Sequence, residues 1–203
     1  MKVAFAGSLI AVLVATGHGA AADEVQRSHR FDTTGVERLH IEYQAGELIL
    51  APADGDQIEV ELRVEPQQKW SGDVADLDVT YSVRGDRLTL RFGEDDVRSH
   101  MLVRVPSLEQ LTIDVRAGEI QGTLPPMETD VFLGAGDISL EFDRASTGRI
   151  DLRARIGDTA VQGVQNVETN RVILVGSTSS AAGEGAHRVE AKVRVGDVRV
   201  GLR

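Results

Sequence analysis

Beyond residue 36, apolar and polar residues alternate along most of the chain, and the alternation breaks at regular places. Six segments share one pattern around a glycine: IEYQAGELIL at Gly46, IDVRAGEIQG at Gly118, VFLGAGDISL at Gly136, LRARIGDTAV at Gly157, VILVGSTSS at Gly176 and AKVRVGDVRV at Gly196. A period of two puts successive side chains on opposite faces of a strand. Three positions before the glycine stand Tyr43, Val115, Leu133, Ala154, Ile173 and Val193. Two positions after it stand Leu48, Ile120, Ile138, Thr159, Thr178 and Val198. Both sets are expected to face a core, as are the residues just before the glycine, Ala45, Ala117, Ala135, Ile156, Val175 and Val195. Inward positions on both sides of the break do not fit one straight strand, so glycine and its acidic neighbour must form a corner, bulge or two-residue turn. Glycine supplies the positive φ that such a corner often needs.

From Gly118 the glycines are 18, 21, 19 and 20 residues apart. A fixed spacing near twenty is the mark of stacked repeats. The expected fold is therefore all-β: a single-stranded β-solenoid, β-helix-like, with rungs of about twenty residues and an irregular β N-terminal part. A hairpin meander fits the local parity equally well, and the regular spacing favours the coil. The 72-residue gap between Gly46 and Gly118 is expected to hold a cap or strand meander covering the first rung. Within it, Ile58 to Val64, Leu77 to Val83, Arg87 to Phe92 and Met101 to Val105 read as strands. VRVGDVRVGLR, from Val193 to Arg203, ends on a strand with no evident cap. It is expected to leave an edge on which a partner or a second copy pairs.

Composition adds an address. Lys2, an apolar run from Val3 to Ala15, and Ala20-Ala21-Ala22 read as a secretory signal peptide over residues 1–22. A polar leader over 23–35 and one β domain over 36–203 follow. The sequence has no cysteine, which together with export suits a bacterial periplasmic or secreted protein. No further apolar stretch is long enough to span a bilayer. A net charge of −10 argues against nucleic acid as a partner.

LHIEYQAGELILAPADGDQIEVEL, LTLRFGEDD and VRVPSLEQLTIDVRAGEI, followed by the Gly-Asp ladder, resemble the bacterial putative-adhesin family, a domain of unknown function. The resemblance runs from about Val36 to Leu202. It implies an exported, non-enzymatic β-solenoid of the cell envelope with an adhesin-like role, and carries no catalytic residues with it.

Candidate chemistry is sparse, and no catalytic residue and no cofactor is expected. No P-loop, dinucleotide fingerprint, G-x-S-x-G or H-E-x-x-H is present. In stacked rungs, Glu47, Glu119, Asp137, Asp158, Ser177 and Asp197 form one column. Its carboxylates Glu119, Asp137, Asp158 and Asp197 are candidate ligands for a divalent cation. Two positions before the glycine, Arg116, Arg155 and Arg194 are expected to pair with those acids across the corner, a sufficient reason for both columns. RGD at Arg84 to Asp86 reads as a tight turn, and His100 as a histidine near the solvated run Glu94 to Asp96. The function expected is an interaction or structural module of the envelope, with a protein partner or self-association. The alternative is a carbohydrate-binding or carbohydrate-active periplasmic protein using Trp70 and Glu94 to Asp96.

Overall fold

The computed structural model describes residues 24–67, 70–172 and 175–203. The expected signal peptide, and Ile173 in the inward column, lie outside the described residues. The chain is all-β but for a 3-10 turn at Val74–Asp76. Its strands are β1 (Val25–Asp32), β2 (Arg38–Pro52), β3 (Gln57–Pro66), β4 (Thr80–Arg84), β5 (Arg87–Phe92), β6 (Val97–Val105) and β7 (Gln110–Thr123). There follow β8 (Glu128–Phe142), β9 (Thr147–Ile156), β10 (Thr159–Gln162), β11 (Val167–Val172), β12 (Gly176–Ala182), β13 (His187–Val195) and β14 (Val198–Leu202). All fourteen join one large mixed sheet.

The centre of that sheet is an in-register parallel array. Gly46 stands beside Gly118 and Gly118 beside Gly136. The β13 register continues the column through Gly196 to Gly157. These five glycines have φ between 123° and 132°, a region closed to other residues without strain. A Cβ on Gly118, Gly136, Gly196 or Gly157 would overlap the carbonyl oxygen of the glycine on the adjacent strand. The position is thus doubly restricted, by φ and by the neighbour's backbone.

At each glycine the sheet is creased. Tyr43, Val115, Leu133, Ala154 and Val193 before it are buried, and so are Leu48, Ile120, Ile138, Thr159 and Val198 after it. The apolar members of both sets join a single hydrophobic cluster, flanked by Leu39, Ile41, Leu111, Ile113, Leu50 and Leu140. The residues just before the glycine do not face the core. Ala45 and Ala135 are exposed, and Ile156, Val175 and Val195 are 46%, 54% and 49% exposed. The turn of the backbone carries that position to the outside of the crease, which strict alternation up to the glycine could not reveal.

Gly176 is not a corner of this kind. It opens β12, which runs antiparallel to β9 with Ser177 opposite Ala154, and it is absent from the positive-φ glycines. The buried residues there are Ser177 and Ser179, not Thr178. Ser177, Ser179 and Thr159 satisfy one another through hydroxyl contacts of 2.7–3.0 Å.

The segment between Gly46 and Gly118 supplies strands that flank β2. β5 lies parallel to the first half of β2 and β6 to its second half, while β3 and β1 extend the sheet antiparallel beyond β6. Inside this corner the Tyr43 hydroxyl lies 2.7 Å from Ser99 Oγ, which donates in turn to Ala45 O at 2.8 Å. Ser99 has one proton, so the tyrosine is the donor of the first bond.

The expectation of an open C-terminal edge is wrong. β13 lies between β8 and β9, parallel to both, and β14 lies between β8 and β10. Spatial order therefore departs from chain order: the segment 187–202 fills a slot between strands made earlier. The sheet path ends at β1 and β11 instead.

Two outcomes test this account. Gly136→Ala should lower unfolding free energy by at least ~2 kcal/mol in denaturant titration, while Gly55→Ala, with open space around its Cβ position, should change it little. Burial raises the Tyr43 phenol to about 12, above the ~10 of an unfolded chain. The neutral form is favoured by folding, so its contribution is complete below pH ~10 and lost as pH rises towards 12. Stability should fall by up to ~1.4 kcal/mol per pH unit there, and Tyr43→Phe should remove that part of the slope.

Candidate interaction groove

On the outward face of the array, residues four before each glycine form a row across the strands. Arg91 stands beside Glu42, Glu42 beside Asp114, Asp114 beside Phe132, Phe132 beside Lys192 and Lys192 beside Arg153. With Asp76 and Asp78 from the segment before β4, Arg91, Glu42, Asp114 and Phe132 of this row border an open groove of about 710 Å³. Its lining mixes the carboxylates of Glu42, Asp76, Asp78, Glu94 and Asp114 with His40, Arg91, Arg116 and Arg194, around Phe132 and Gly134.

Several of its titratable groups hold one another. Arg91 is bidentate to Glu42, with Nε–Oε2 2.6 Å and Nη2–Oε1 3.0 Å. That hydrogen bonding holds the Glu42 carboxyl below the usual carboxylate range and the Arg91 guanidinium above its own. His40 Nε2 lies 2.8 Å from Asp114 Oδ2, and His29 Nε2 2.6 Å from Asp78 Oδ1. Across the groove the Arg194 guanidinium lies over the Phe132 ring, 5.6 Å from its centroid, a cation–π arrangement. The groove thus intersperses carboxylates and guanidinium groups around one half-buried aromatic, Phe132.

The acidic column has another role. Its spatial order is Glu119, Asp137, Asp197, Asp158. Asp137 Oδ1 accepts the Asp197 amide at 2.9 Å, and Asp197 Oδ1 accepts the Asp158 amide at 3.0 Å. Asp137 and Asp197 therefore each cap a backbone N–H at the crease. Asp158 also takes Arg171 at 2.9 Å, and Asp197 takes Arg199 at 3.0 Å. Among the described residues no three His, Asp or Glu side chains converge as metal ligands. The expected cross-corner pairing of Arg116, Arg155 and Arg194 with this column does not form.

The remaining sequence candidates disperse. Trp70 is half-buried against the core and does not line the groove. Glu94 does line it, while Asp95 accepts a hydrogen bond from Gln44. His100 Nδ1 lies 2.7 Å from Glu47 Oε2 in the β6 ladder. Asp86 of the RGD turn is tied to Arg38 through its carboxylate and accepts the Glu37 and Arg38 amides through its carbonyl. The groove residues His40, Glu42, Asp114 and Phe132 were missed in the sequence. A signal existed, because the column four before the glycine is outward by parity and mixes both charges with an aromatic.

Fold and site together define an all-β protein whose creased parallel array carries an open groove of mixed charge. No family profile matches the sequence, and no curated protein matches it. The fold recurs among solved structures. A putative cell adhesion protein from Clostridium sporogenes matches at 11% identity with a TM-score of 0.55, over 89% of this chain and 100% of that one. A putative adhesin from Bacteroides fragilis matches at 9% identity with a TM-score of 0.38, over 91% of this chain and 100% of that one.

Asp197→Ala should cost about 1 kcal/mol, as loss of a cap does, because the Asp158 amide then lacks its acceptor. Calcium and chelator should leave the melting temperature of the parent protein unchanged; a calcium-dependent rise would return the column to metal binding.

Proposed function

We propose that the chain is a non-enzymatic interaction module of the bacterial cell envelope, exported by residues 1–22 and folded over 36–203 as a β-solenoid. Parallel strands held in register through one glycine column support the solenoid reading. The likeness to a cell adhesion protein supports an adhesin-like role by analogy of fold.

The observation that carries the reading is the groove. It is open, it crosses several strands, and it sets carboxylates, guanidinium groups and an aromatic ring side by side. Such a surface suits recognition of a polar partner by charge complementarity. Glu42 is paired with Arg91, Asp114 with His40 and Asp78 with His29, while the guanidinium groups of Arg116 and Arg194 remain for contact with a partner.

A photo-crosslinking residue placed at Asp114 or Thr112 should capture one recurrent envelope protein in living cells, whereas one at Ser139, beyond the crease, should not. Equal capture from both faces, or none from the groove, would overturn the assignment. Recovery of mature protein beginning near Asp23 from the periplasm or medium would test the export reading.

A further inference from the structure

The outward face next to the groove holds an arrangement that sheet energetics disfavour. Lys192 stands beside Arg153, and the same register sets Arg194 beside Arg155 one step along the strands. Arg116 continues the second row across Gly134, whose missing side chain leaves the Arg116 backbone uncovered. Like charges in directly opposed cross-strand positions are destabilising. Salt bridges relieve other cations on this sheet: Arg91 with Glu42, Arg149 with Asp151, Lys192 with Glu190. Among the described residues Arg116, Arg153, Arg155 and Arg194 pair with no carboxylate, and all four are exposed. They stand together in a chain of net charge −10.

The array is bounded. Asp130, Glu190 and Asp151 form a row on one side, and Asp137, Asp197 and Asp158 lie beyond the crease on the other. From Arg116 to Arg155 are three strand spacings, about 14 Å, and the two basic rows are about 7 Å apart. Acidic borders at that distance repel an extended anionic surface such as a membrane and admit a compact anion. Guanidinium groups grip tetrahedral oxyanions through paired N–H donors.

We propose that Arg116, Arg153, Arg155, Lys192 and Arg194 form a binding surface for a compact polyanion bearing clustered phosphate groups. The surface shares Arg116 and Arg194 with the groove and extends beyond it through Arg153, Arg155 and Lys192, which lie outside the groove lining. A bound polyanion supplies the counter-charge that the sheet itself lacks.

Calorimetric titration of the mature protein at 50 mM NaCl with tripolyphosphate and with inositol hexakisphosphate tests this. Saturable binding is expected, at least tenfold tighter than for inorganic monophosphate and weakened at least tenfold at 300 mM NaCl. Binding of the linear phosphate alone assigns a phosphate chain, and of the ring alone a phosphorylated sugar-like ring; either upholds the proposal. R155S/R194S should lose at least tenfold in affinity yet melt no earlier than the parent, because a repulsive pair has been removed. R116S/R153S provides an independent folded variant, and Arg149→Ser, at a paired cation, should bind as the parent does. No binding of either probe at 50 mM NaCl, or binding by R155S/R194S within twofold of the parent, would overturn it.

Discussion

The carbonyl of one glycine occupies the space where the next glycine's Cβ would be, and the rest of the structure depends on that contact. It permits five strands to turn at the same level, so that apolar residues on both sides of the crease meet in one core. A side chain at any of these positions would have to displace the backbone of its neighbour. The neighbour is itself fixed by the next strand, so strain at one level cannot be relieved locally. Asp137 and Asp197 belong to the same device, since their carboxylates accept backbone amides at the crease.

How much of this was legible in the sequence follows from what is local. Strand positions, the glycine corner and the inward faces are local, and Val115, Leu133, Ile120 and Ile138 are buried as parity requires. The residues just before the glycine were misplaced, because the backbone turns one residue earlier than alternation suggests. Gly176 looked like a repeat member by spacing. Its strand runs antiparallel, and strand direction leaves no trace in a ten-residue pattern. The order of the strands was hidden for a related reason: AKVRVGDVRV matches any rung equally well, so its pattern cannot say that it sits between β8 and β9.

The candidate site was less legible than the fold. The column four before the glycine mixes Glu42, Asp114, Phe132, Arg153 and Lys192, and reading along the chain scatters these over 150 residues. Only the spatial order brings Arg194 over Phe132 and sets it next to Arg155. The arginine column was visible as a column, and its pairing was wrongly inferred because the acids three residues away are taken up by backbone amides and by Arg171 and Arg199. A charge seen in sequence acquires a partner only when the crease decides which way it points.

The insertion of β13 and β14 between strands made earlier imposes an order in time. While a ribosome is still making the chain through Val172, β8 and β9 cannot pair with each other in the native arrangement, because their places are separated by a strand not yet synthesised. Two long apolar edges then face an empty slot, each a template for the wrong neighbour. The central array becomes continuous only when residues 187–202 enter it. A nascent chain is therefore kept waiting at its centre until its last two strands arrive.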